Sequence, residues 1–191
     1  MEIDLSPFNQ NLRDHLESGE VVAKREDSKL IFESRVVLGT VFYRPPKGPL
    51  QVLTQVDCQY PRTFSETVQP TEYGNGKEKE TFIRGMKEEL GMTFKNRNQF
   101  RFILHGFDIQ TRLSRTLEVE VRRILFYYCI PSISKKQYKP SYSHQNDEGE
   151  ILWFKWADID SLDWKQRRYP EGTMIPDEIM SKIRGYRSNR L

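Results

Sequence analysis

Two adjacent glutamates, Glu88 and Glu89, follow Arg84 in the run Arg84-Gly85-Met86-Lys87-Glu88-Glu89-Leu90-Gly91-Met92. Neighbouring carboxylates are what a hard divalent cation seeks. Mg²⁺ or Mn²⁺ takes one or two from protein and fills its other positions with water and substrate phosphates. An ion held this way polarises a phosphoryl oxygen and activates water. At 100° per residue on a helix, Thr81, Gly85, Glu88 and Glu89 share one arc of about 100°, and Phe82, Ile83, Met86 and Leu90 occupy the next. The carboxylates then emerge beside a buried stripe. Arg84, one turn before Glu88, is placed to orient it. A Glu-Glu pair is also the ordinary composition of a solvated helix face, so the elements around it must decide.

Those elements read as follows. Ser6-Pro7 can open a short helix with Phe8, Leu12 and Leu16 on one side and Gly19 as its stop. A β-rich stretch surrounds residues 29–32. Arg35 to Tyr43 is almost continuously apolar and β-branched, a strand, and Leu50 to Val56 alternates; the Pro/Gly cluster at 45–49 joins the two as a hairpin. Residues 60–77 predict a long loop. A helix is expected over 78–90, stopped by Gly91. Strands are expected over 100–107, 117–130 and 151–156, with a second long loop over 131–150 and a last helix opening at Pro176. This order predicts an α+β domain with a mixed sheet. Phe82, Ile83, Met86 and Leu90 should pack on that sheet, with Val37, Val41, Leu125 and Trp153 in the core. Residues 1–34 read as an N-terminal extension packed on a domain spanning 35–191.

Composition narrows the class. The chain has 191 residues, the length of one ordinary domain. Its 12% aromatic content can fill a core. No run reaches the ~18 apolar residues of a membrane span, and the first residues lack the apolar stretch of a signal peptide. Two cysteines, Cys58 and Cys129, make neither a disulfide framework nor a metal knuckle, so a reducing, cytoplasmic location is expected. A net charge of +3 is too small to make nucleic acid the main partner. His15, His105 and His144 are scattered and read as structural.

The 84–92 stretch resembles the second half of the Nudix box, G-x5-E-x7-R-E-U-x-E-E-x-G-U, where U is aliphatic. Arg84 matches its arginine, Met86 its first U, Glu88 and Glu89 its glutamate pair, Gly91 its glycine and Met92 its last U. The hairpin before the box and the stretch 147–162 after it also look like that family, so the resemblance spans roughly residues 35–185. It departs at three places: Gly85 replaces the glutamate beside the arginine, Gly76 the earlier glutamate, and Pro70 the first glycine. The loss at Gly85 falls at the centre of the expected metal site. A mid-helix glycine costs about 0.5–1 kcal/mol relative to alanine. Either a close approach compensates for it or the position has drifted, and restoring Glu at 85 is expected to rebuild the carboxylate set.

The resemblance implies a Nudix-like mixed sheet sandwiched between helices and metal-dependent cleavage of a pyrophosphate bond in a nucleoside-diphosphate-linked substrate. Glu88 and Glu89 would ligate Mg²⁺ or Mn²⁺, with Arg84 as their organiser. With Gly85 unable to ligate, Glu148 and Glu150 are the first candidates for the missing carboxylate, alongside Asp147, followed by Glu118 and Glu120. Tyr60, Phe64, Tyr73 and Tyr142 could stack on a base or simply pack. The alternative is a Nudix-like domain that has lost catalysis and binds a nucleotide-type small molecule or a protein partner as a regulator. The basic C-terminal residues Lys182, Arg184, Arg187 and Arg190 suit the latter, and a homodimer stays open.

Overall fold

The computed structural model describes residues 4–56, 64–73, 77–92, 104–130, 133, 135–136, 138–145, 149–160, 181 and 185. The described elements are helix α1 (Gln10–Ser18), strands β1 (Val21–Glu26), β2 (Lys29–Tyr43), β3 (Gln51–Gln55) and β4 (Phe64–Thr67), a single 3₁₀ turn (Pro70–Glu72), helix α2 (Glu78–Leu90), and strands β5 (Leu104–Ser114), β6 (Val119–Ile130), β7 (Ser141–Gln145) and β8 (Ile151–Asp158). The domain is α+β with a mixed eight-stranded sheet.

β2 is the hub. Along one edge it pairs antiparallel with β1, then β4, then β3; along the other it runs parallel to β6. The sheet continues from β6 to β5 and from β3 through β8 to β7, all antiparallel. Residues 29–43 can do this because they are β-branched and apolar for most of their length, the composition of a strand buried on both faces. The strand runs unbroken across position 34.

Alternation along β2 sorts the core into layers. Val37 and Val41 join Phe82, Met86 and Leu90 of α2 in one buried cluster. Val36, Leu38 and Phe42 turn the other way, into a cluster with Leu125, Tyr127 and Ile159. A third, smaller cluster joins Leu12 of α1 to Phe32, Leu117 and Val121. Phe82 is wholly buried, as its helical stripe demands, and Ile83 packs at the margin. Trp153 does not belong to the core. It is half exposed, because Leu152, Phe154 and Trp156 take the inward positions of β8 and Trp153 has the opposite parity.

Both predicted long loops contain strands. β4 lies within 60–77 and β7 within 131–150. Each is short and owes its conformation to a neighbour, β2 or β8, rather than to a strong local pattern. The N-terminal helix starts later than Ser6: Asn9 is its cap, its side chain accepting from Leu12 N at 2.9 Å. β5 extends to Ser114, and the hairpin of β2 and β3 forms as expected. Apart from Ser181 and Gly185, which are helical, the expected last helix lies outside the described residues. No described helix is long and apolar enough to cross a membrane.

Candidate functional site

α2 carries the half-box. It ends where expected: Gly91 takes a left-handed conformation and its N–H donates to Lys87 O and Met86 O. Its inner face presses Phe82 and Met86 into the core, which fixes the rotation of the helix. Arg84 then points along the sheet toward β4, Glu88 follows one turn later, and Gly85 turns to the strand itself.

Arg84 is the centre of the site. Its Nη1 donates to Glu66 at 2.7 Å and to Glu88 at 3.0 Å, its Nη2 to the Thr67 carbonyl at 2.8 Å, and its Nε to Glu72 at 3.3 Å. One guanidinium thus ties β4, the 3₁₀ turn and α2 together. Glu72 also accepts from Thr81 Oγ1 at 2.7 Å and from Gln69 N at 3.0 Å. Burial works to raise the Glu72 carboxyl, but these hydrogen bonds outweigh it and hold the group below its usual range.

Glu66 behaves in the opposite way. Its side chain is only 14% exposed, and burial, against the pull of Arg84 and with the help of Glu88 and Glu89, pushes its carboxyl up to about 7. The reason is arithmetic of charge: one cation faces the carboxylates of Glu66, Glu72 and Glu88 at once, so one of them is left under-compensated.

Gly85 has a physical account. The ring of Phe64, on β4, lies between Gly39 of β2 and Gly85 of α2, and a Cβ added at either glycine would collide with it. The same added Cβ at 85 would stand 2.7 Å from Glu66 Cγ. The glycine therefore admits a close approach between helix and strand, which compensates for its cost within the helix. The expectation that Glu at 85 rebuilds the carboxylate set is corrected accordingly: the space it needs is filled by Phe64 and Glu66.

The other residues singled out by sequence fall in different places. Arg84 and Glu88 are joined, and Glu89 lies near enough to Glu66 to raise its carboxyl. Glu148 and Asp147 lie outside the described residues, as do Tyr60, Cys58 and Gly76. Glu150 is exposed just before β8; Glu118 and Glu120 are exposed around the start of β6. Phe64 and Tyr142 are buried in the core cluster. Tyr73 packs under the Arg35 guanidinium, 4.7 Å from its ring centre, and donates its hydroxyl to Gly19 O at 2.8 Å. Cys129 is buried, and burial pushes its thiol up to about 12.

Glu66 and Glu72 were not singled out by sequence. A signal for Glu66 existed: it is two residues from Phe64, so if 64–67 is a strand the two share a face. As to a metal, Glu88 and Glu89 supply two carboxylates. Among the described residues, however, no group of three or more His, Cys, Asp or Glu side chains is arranged to hold one. Arg84 Nη1 bridges Glu66 and Glu88, so among the described residues these two carboxylates are turned to a guanidinium rather than grouped as a cation site.

No family model matches the sequence, and no curated protein matches it. Among solved structures, the chain is similar to a C. elegans Ap4A hydrolase at 15% identity with a TM-score of 0.39, over 78% of this chain and 92% of that one.

Proposed function

We propose that this chain is a Nudix-like domain that binds a nucleotide-type small molecule and has given up metal-dependent hydrolysis at α2. The observation that carries this reading is the Arg84 clasp. A guanidinium stands between the carboxylates of Glu66 and Glu88, and Phe64 fills the space where the side chain of residue 85 would begin. What remains of the box, Arg84, Glu88, Glu89 and Gly91, supports the family relation. Arg84, bonded also to Glu88, joins α2 to β4. The test is a screen of nucleoside-diphosphate-linked compounds and dinucleoside polyphosphates with Mg²⁺ and Mn²⁺, read both as turnover and as binding heat. Binding without turnover is the expected result; rapid turnover abolished by Glu88→Gln overturns the loss of hydrolysis.

One observation favours a second reading, hydrolysis with an altered carboxylate set. Glu66 Cγ lies close to where a side chain at 85 would start, so β4 supplies a carboxylate near the position the helix lost. In that reading Glu66, with a carboxyl group poised near neutrality, takes the proton of an attacking water. Turnover that disappears in Glu66→Gln but survives in Glu150→Gln selects it. Turnover lost in Glu150→Gln and kept in Glu66→Gln would instead assign the base to the loop before β8.

A further inference from the structure

The two faces of β8 differ in what they bury. Leu152, Phe154 and Trp156 pack inward toward α2. The alternate positions look out on the far side of the sheet, where Ala157 and its partner Val52 join the opposite cluster. On that side Trp153 is 50% exposed and Ile151 62%. Register adds a third apolar residue. Gln55 of β3 is paired with Phe154, and Val56 N donates to Trp153 O at 2.7 Å, so Val56, itself 38% exposed, stands beside Trp153. Three large apolar side chains that share one stretch of surface mark an interaction site, which single exposed residues do not.

The next strand leaves this patch within reach of the sheet edge. β7 pairs Ser141 with Lys155, Ser143 with Trp153 and Gln145 with Ile151. Paired residues point to the same face, so only two serines and a glutamine, all exposed, stand between Trp153 and the edge. β7 is also the last strand of the sheet: among the described residues, no strand pairs with its outer edge. Such an edge offers a row of peptide N–H and C=O groups to another extended chain. A strand added there would lie about 4.8 Å from β7. Its outward side chains would cross the small serines and meet Trp153.

Charge restricts what that strand can carry. Residues 135–145 contain three lysines and no acid. Lys135, Lys136 and Lys139 are exposed ahead of β7, and Lys155 is exposed on the outer face opposite Ser141. Lys139 and Lys155 therefore mark the same end of the β7–β8 pair, and the complement of that end is acidic.

We propose that the β7 edge binds an extended acidic peptide segment of a partner protein. Its backbone pairs with β7, its apolar side chains cover Trp153, Ile151 and Val56, and its carboxylates meet Lys139 and Lys155. A single-stranded nucleic acid fits less well: it would find one aromatic platform between two aliphatic neighbours and would leave the strand edge unpaired. A second copy of this chain would offer β7 itself, five residues without an acid. The site faces away from α2 and does not rest on the reading of the Arg84 clasp.

The test is selection of a random dodecapeptide phage library on the full chain, followed by fluorescence polarisation of the enriched peptides. These should join a run of Asp or Glu to alternating apolar residues and bind more weakly as salt rises. Trp153→Ala and the surface change Lys155→Glu should each weaken binding about tenfold. N-methylation of alternate peptide nitrogens should abolish binding in one phase and spare it in the other, as strand pairing requires. The Glu88→Gln/Glu89→Gln variant should leave affinity unchanged. No enrichment over an unrelated protein overturns the proposal, and so does binding indifferent to both patch variants or to N-methylation in either phase. Tighter binding of oligo(U) than of any peptide, lost in Trp153→Ala, overturns it in favour of nucleic acid. A dimer in sedimentation that Trp153→Ala dissolves overturns it in favour of a second copy. Circular dichroism melts of each variant separate lost affinity from lost fold.

Discussion

The two faces of the central sheet use charge in opposite ways. On the α2 side, several carboxylates gather around one arginine, and the arginine spends its donors inside the protein on Glu66, Glu72, Glu88 and the Thr67 carbonyl. On the other side, three arginines from β5, its turn and β6 line a ligand-sized cleft with one acid at its edge. The first arrangement is closed: its geometry fixes how helix, strand and turn meet. The second lines a cleft and spans two strands and the turn between them.

The largest effect should come from opening the closed side. Arg84→Met leaves Glu66, Glu72 and Glu88 facing one another with no cation, and the Thr67 carbonyl without this donor. Breaking a fully buried ion pair costs about 3–5 kcal/mol; this one is part-buried, so a loss toward the lower end is expected, read as a lowered urea midpoint. A midpoint equal to wild type would mean that the clasp does not hold β4 to α2, and the contrast between the faces would collapse.

Next is Gly85→Glu. Overpacking against the Phe64 ring, which Gly39 confines from the other side, should cost about 1–3 kcal/mol despite the better helix propensity. Calorimetry with Mn²⁺ should show no gain in affinity. A raised melting temperature together with tighter Mn²⁺ binding would restore the view of Gly85 as a vacant ligand position.

The pH dependence of stability sharpens the same point. The Glu66 carboxyl is raised in the folded state from 4.5 to about 7. The folded state therefore binds its proton more tightly than the unfolded chain does. That stability is fully present below about 4.5 and is lost as pH rises toward 7. Between about pH 5 and pH 8, wild type should lose on the order of 1–2 kcal/mol more than Glu66→Gln. Glu72 has the opposite sign: its carboxyl is lowered, so its contribution is present above its unfolded value and is lost as pH falls through the folded one. Parallel denaturant curves for wild type and Glu66→Gln across that range would remove Glu66 as the under-compensated member.

The smallest effect belongs to the cleft side. Arg115→Gln, at an exposed position, should change stability by no more than about 0.5 kcal/mol, measured on the same denaturant curves. A large destabilisation would show that the cleft's arginines, like Arg84, are architectural.

Local pattern is what the sequence carries by itself. The 3.6-residue stripe of Phe82, Met86 and Leu90, the stop at Gly91, the β-branched run of β2 and the half-box on α2 are all legible without tertiary information. Each is decided by residues within a turn or two of one another. β4 and β7 were illegible because they are too short to show a period and are strands only where β2 and β8 pair with them. The parity of β8, which turns Trp153 outward, depends on register in the same way. Only the fold decided that Glu66 and Glu72 reach Arg84, that Phe64 needs glycine at both 39 and 85, and that Arg112, Arg115 and Arg123 converge beside α1. These are meetings of residues far apart in the chain or on different strands. Pairing register and helix rotation fix them, and both are set by which apolar faces the assembled core can bury at once.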